Sequence, residues 1–120
     1  MRNLRIALSV LAVAAIAALV IVAAAAAVGH RAAATKVSVT AKEFKFVLSK
    51  KSVPHGTVTF TVTNKGKVTH DFAIGGKKTK VLSPGKKQTL TVKLKKGRDA
   101  YRCTVDSHAK LGMKGVLKVT

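Results

Sequence analysis

From Lys36 onward, apolar and polar side chains alternate with a period of two. Val37, Val39 and Ala41 are interleaved with Ser38 and Thr40, and Phe44 and Phe46 lie either side of Lys45. The cleanest run is Thr57-Val58-Thr59-Phe60-Thr61-Val62-Thr63, with Val58, Phe60 and Val62 on one face and four threonines on the other. Thr89 to Leu94 repeats it with Leu90, Val92 and Leu94 inward, and Val116, Leu117 and Val119 make a last short strand. Alternation of this kind is the mark of half-buried strands. A helix would need apolar residues three and four apart, and nothing after Thr35 sustains that spacing. Turn signals separate the strands: Val53-Pro54-His55-Gly56, Asn64-Lys65-Gly66, Gly75-Gly76, Ser83-Pro84-Gly85 and Lys96-Gly97-Arg98-Asp99. Six to eight short strands with a turn about every ten residues predict an all-β, antiparallel β-sandwich over residues 35–120. Lysines such as Lys45, Lys93 and Lys118 fall on outward positions, where they also discourage edge-to-edge pairing.

The N-terminal pattern is different. Arg2 and Arg5 precede an apolar run from Ile6 to Val28, broken only by Ser9. As a helix its 23 residues reach about 34 Å, enough to cross a hydrocarbon core of about 30 Å. The arginines are expected on the cytoplasmic side, which puts the remainder of the chain outside, in a periplasm or at the cell surface. Residues 1–34 are therefore read as an export segment. Cleavage at Ala32-Ala33-Ala34 would release a chain starting near Thr35, and retention would leave an anchor through residues 6–28.

Charge narrows the partners. The chain has 120 residues, with 23 Lys and Arg against four acidic residues, a formal net charge of +19. Nucleic acid is a poor match, because the basic residues are scattered. Stacking aromatics are also few, at four Phe, one Tyr and no Trp. An acidic protein partner suits the charge better.

Candidate chemistry is concentrated near the C-terminus, between Tyr101 and Gly115. Cys103, His108 and Met113 are spaced with four residues between each pair, and Cys103 is the only cysteine. An unpaired thiol outside the cytoplasm has no disulfide to form. Beside an imidazole and a thioether it makes a soft donor set, which favours copper over calcium or magnesium. One more histidine would complete the His₂Cys set, with a weak axial Met, of an electron-transfer copper centre. His70, at the head of the run Phe72-Ala73-Ile74, is the candidate, since sandwich strands distant in sequence can meet at one pole. His55 reads as a solvated turn residue and His30 as part of the export segment. A second copper site, as a copper enzyme would need, has too few ligands, and a thioether suits zinc poorly. Copper carriage is the alternative to electron transfer.

These residues resemble the cupredoxins, a family of small blue copper proteins. The resemblance runs from about Val37 to Thr120. It is carried by Val53-Pro54-His55-Gly56, Thr59 to Asn64, His70-Asp71-Phe72 and Tyr101 to Gly115. It implies an eight-stranded Greek-key sandwich with one type 1 copper near a pole. His70, Cys103 and His108 would be equatorial ligands, Met113 the axial one, and the His108 edge the electron port. The chain is expected to be a monomer that exchanges electrons with a redox protein partner and is not an enzyme. Two positions depart from the family pattern. Asp106-Ser107 replaces a common Pro-Gly, which is expected to loosen the ligand loop. Asp71 replaces a common Asn, and its carboxylate is expected near the metal, lowering the potential.

Overall fold

The computed structural model describes residues 33–120. The export segment expected over residues 1–34 lies, but for its last two residues, outside the described residues. No helix among the described residues is long and apolar enough to cross a membrane.

Among the described residues nine strands form two sheets. They are β1 (Thr35–Lys42), β2 (Lys45–Leu48), β3 (Ser52–Val53), β4 (Gly56–Asn64), β5 (Ala73–Ile74), β6 (Lys77–Lys78), β7 (Lys87–Leu94), β8 (Gly97–Arg102) and β9 (Lys114–Val119). The four-stranded sheet has the order β2-β1-β4-β7 and the five-stranded sheet β3-β9-β8-β5-β6. The expected sandwich is present, but it is not purely antiparallel. β1 runs parallel to β4, from Thr35 opposite Val58 to Ala41 opposite Asn64, and β3 runs parallel to β9. The reason is topological. After the β1–β2 hairpin the chain crosses to the other sheet for β3, then returns on the far side of β1 in the direction β1 started. Hydrophobic periodicity reports which face is buried and carries no information on strand direction.

The alternating residues face inward as their spacing requires. Val37 and Val39, then Val58, Phe60 and Val62, then Leu90, Val92 and Leu94 line the inner face of the first sheet and are all buried. Phe72, Ile74, Leu117 and Val119 close on them from the second sheet. Phe72 is central, its ring 5.3 Å from that of Phe60 and 5.1 Å from that of Phe46, the latter edge-on. Val116, expected within the last strand, points outward, while Leu117 and Val119 bury.

Two inward positions carry the pattern beyond the core to one pole. Ala41, two residues past Val39, packs in a separate small cluster with Cys103 and Met113. Asn64, two residues past Val62, is fully buried, and every polar atom of its amide is used. Its Nδ2 donates to the carbonyls of Val68 and Leu82, both at 2.8 Å, and its Oδ1 accepts from Gly66 N–H. A buried amide survives only when satisfied in this way, and here it staples the segment that leads into His70.

Candidate metal centre

His70 follows β4 on a segment held by backbone pairing rather than by a full strand. It exchanges two hydrogen bonds with Leu82, its N–H to the Leu82 carbonyl at 3.1 Å and the reverse at 2.7 Å. Asn64 takes a second bond to that same Leu82 carbonyl, so β4 fixes both sides of the bridge. Three residues on, Ala73 and Ile74 pair with Arg102 and Tyr101 of β8. That register brings His70 to the end of β8, next to Cys103.

The loop from Cys103 to Met113 is closed on itself. Cys103 N–H donates to the Met113 carbonyl at 3.0 Å, and Met113 N–H to the His108 carbonyl at 3.2 Å. His108 N–H donates in turn to Val105 at 3.1 Å, starting a single 3₁₀ turn over His108–Leu111. Asp106 turns the chain with φ 45°, a left-handed conformation that Asp tolerates better than most residues. Gly112 ends the turn with φ 114°, where a side chain would be strained. The loop expected to be loosened by Asp106-Ser107 is thus a tight, internally bonded turn.

The Asp71 carboxylate stands beside Cys103, where it also bonds to the next residue. One oxygen accepts the Thr104 N–H at 2.6 Å and the other accepts the Thr104 hydroxyl, so the buried carboxylate clasps the residue after Cys103. Charge-assisted bonds of this type are the strong ones. Asp71 therefore ties the His70 segment to the Cys103 loop. Burial pushes the Cys103 thiol up from its ordinary pKa and the nearby Asp71 carboxylate adds to the rise, while the backbone N–H groups of Asp71 and Val105, directed at the sulfur, oppose it. Metal uptake by a neutral thiol releases its proton, so affinity for a metal rises with pH.

The donors converge. His70 Nδ1 and His108 Nδ1 lie 3.2 Å apart, and Cys103 Sγ lies 3.6 Å from His108 Nδ1. One ligand atom from each of the three residues falls within 4.8 Å of the others, and all three residues are buried. Two imidazole lone pairs facing each other at 3.2 Å repel, so the gap has to hold a proton or a cation. A first-row divalent ion such as zinc takes imidazole nitrogen at about 2.0–2.1 Å and thiolate sulfur at about 2.3 Å. Donors sharing such an ion then lie roughly 3–4 Å apart, which the measured separations match. The thiolate makes the set soft and suited to copper. Met113 is fully buried and packs with Cys103, so its thioether belongs to the same pole. Phe44 roofs the site, its ring 4.9 Å from His108. His108 keeps 9 % of its surface exposed, and Leu111 at the end of its turn is 59 % exposed. His55 lies away from this group, in the β3–β4 turn, with Nδ1 on the Thr120 carbonyl at 2.9 Å.

One residue at the site was not expected. Glu43, in the turn between β1 and β2, places Oε1 3.0 Å from His70 Nε2. The same oxygen accepts the N–H groups of Lys67 at 2.7 Å and Val68 at 3.0 Å. The Val68 N–H outweighs the cost of partial burial, and with the Lys67 N–H and the His70 ring it brings the Glu43 carboxyl down to about 2. The carboxylate is therefore ionised at any pH where the site operates.

A two-sheet sandwich with two histidines and a cysteine gathered at one pole defines a class, and the comparisons agree with it. Residues 12–119 match the cupredoxin-like domain, and the chain belongs to that family. Among solved structures it is similar to dithionite-reduced auracyanin from the photosynthetic bacterium Roseiflexus castenholzii. Identity is 25% over 72% of this chain and 98% of that one, with a TM-score of 0.63. It is also similar to auracyanin A of Chloroflexus aurantiacus, described as a "blue" copper protein, at 19% identity, 72% and 98% coverage and a TM-score of 0.61. An azurin from Methylomonas sp. strain J shares 18% identity over 73% of this chain and 99% of that one, with a TM-score of 0.59. No curated protein matches the chain.

Proposed function

We propose that this protein carries single electrons between redox proteins through one type 1 copper ion held by His70, Cys103 and His108, with Met113 as a weak axial ligand. The observation that carries this reading is the convergence of three buried donor atoms within 4.8 Å. Copper would supply a one-electron couple there. The protein's own part is to keep the donors in one arrangement for both oxidation states, which Asp71, Asn64 and the closed loop favour by fixing each ligand's backbone. Burial keeps water from the thiolate, and the partly exposed His108 edge offers a path to a partner. Membership of the cupredoxin-like family supports a carrier rather than an enzyme.

The partner is proposed to be acidic. An open depression on the outer face of the five-stranded sheet is floored by Ala73, Ala100 and Val116 and rimmed by Lys77, Lys78, Arg102 and Lys114. No acidic residue lines it. We also propose that the protein works outside the cytoplasm as a monomer, released or held at a membrane through residues 6–28; the support for export is the apolar run behind Arg2 and Arg5.

The competing role is copper delivery. A carrier of electrons is expected to survive repeated reduction and reoxidation in the presence of a Cu(I) chelator with its copper retained. Loss of the metal to the chelator during the first reduced interval would favour delivery instead.

A further inference from the structure

Glu43 is one of only four acidic residues in a chain of charge +19, and it sits in a turn where a lysine would serve solubility equally well. Its Oε1 nevertheless gathers three donors, the Lys67 and Val68 N–H groups and the His70 ring. Gly66 allows that approach, because a Cβ there would run into the Glu43 carboxylate. An ordinary surface glutamate has no such arrangement. His70 presents its two ring nitrogens to different partners: Nε2 to this carboxylate and Nδ1 to the cluster with His108 and Cys103.

Accepting from histidine, a carboxylate requires a proton on Nε2 and so leaves Nδ1 with its lone pair. It also raises the basicity of that lone pair. Negative charge one imidazole away stabilises the more highly charged state of a bound metal. On these grounds we propose that Glu43 is a positioning residue of the metal centre: it holds His70 in the tautomer that offers Nδ1 and biases bound copper toward Cu(II), lowering the reduction potential. This rests on the copper reading above. Glu43 thus adds its charge from the His70 side, while the Asp71 carboxylate stands on the Cys103 side, bonded to Thr104.

Three variants of the full chain separate charge from geometry. Glu43→Gln keeps the shape and removes the charge. Gly66→Ala keeps the charge and displaces the carboxylate. Asp99→Asn, on β8, removes the same charge away from the metal cluster. E43Q is expected to weaken Cu(II) binding relative to Cu(I) about tenfold, which raises the potential by about 59 mV. G66A should shift it in the same direction, and D99N by only a small fraction of that amount. In metal-free protein, imidazole ¹⁵N shifts should show His70 protonated at Nε2 in the wild type, with that preference weakened in G66A. Equal shifts in potential for E43Q and D99N would overturn the proposal, as would a His70 proton resident on Nδ1 in the wild type. Should the protein take up no copper at all, the copper reading fails. The nitrogen spectrum then still decides whether Glu43 sets the His70 tautomer.

Discussion

Replacing Cys103 with serine is expected to abolish tight copper binding while leaving the metal-free fold intact. The thiolate is the charged, soft member of the donor set, and a serine hydroxyl neither ionises near neutral pH nor binds copper with comparable strength. The loss should exceed the roughly 10–100-fold that follows from removing an outer-sphere partner of a metal ligand. Stability gives the readout. Copper at 100 times its dissociation constant stabilises the folded state by about 2.7 kcal/mol. For a domain of this size that is a rise in Tm of roughly 11–22 °C. The wild type should show this rise and C103S should not. The fold tolerates the change because serine is smaller than cysteine, and its oxygen can accept from the Asp71 and Val105 N–H groups that now point at the sulfur. A C103S variant that kept the copper-induced rise would place the metal elsewhere.

The second large effect is on the scaffold. Phe60 is fully buried at the middle of β4, against Phe72 of the opposing sheet. Phe60→Ala is expected to cost about 3–5 kcal/mol, because the cavity cannot collapse between two hydrogen-bonded sheets. The corresponding fall in Tm is roughly 12 °C or more for the metal-free protein. Val116→Ala, on an outward position of β9 that is 48 % exposed, serves as the control and should stay within about 0.5 kcal/mol of the wild type. Equal losses for the two variants would mean that the inward face has been misassigned.

Much of this molecule can be read without coordinates, and the parts that cannot have identifiable causes. The inward faces of β1, β4 and β7 follow from alternation alone, since side chains at i and i+2 share a face of any strand. His70, Cys103 and His108 stand out because soft and imidazole donors are scarce in this chain, and the structure brings the three together. Met113 is buried beside Cys103, as its place at the end of the same short loop suggested. What alternation lacks is direction, so the parallel pairings of β1 with β4 and β3 with β9 were not foreseen.

Hydrogen bonds that cross the fold are equally invisible to local patterns. Glu43 and His70 are 27 residues apart and meet only because β1 and β4 run side by side in register, which carries the turn after β1 toward the segment after β4. A usable signal did exist. Carboxylates are so rare in this chain that each one invites a reason, and two of the four stand at the metal cluster. Asp71 stood out for replacing a common Asn, yet its position in the chain says nothing about which way the carboxylate turns. It turns toward Thr104. Asn64 likewise reads as a turn residue and acts as a buried staple, because it ends a strand on the inward-facing register.

The central claim is that His70, Cys103 and His108 hold one copper ion through a thiolate. The most direct measurement is the visible spectrum of the purified protein during titration with Cu(II). An intense blue absorption from thiolate-to-copper charge transfer, rising to one equivalent and then level, is the predicted result. A solution that stays colourless, or colour that keeps growing past one equivalent, would contradict it.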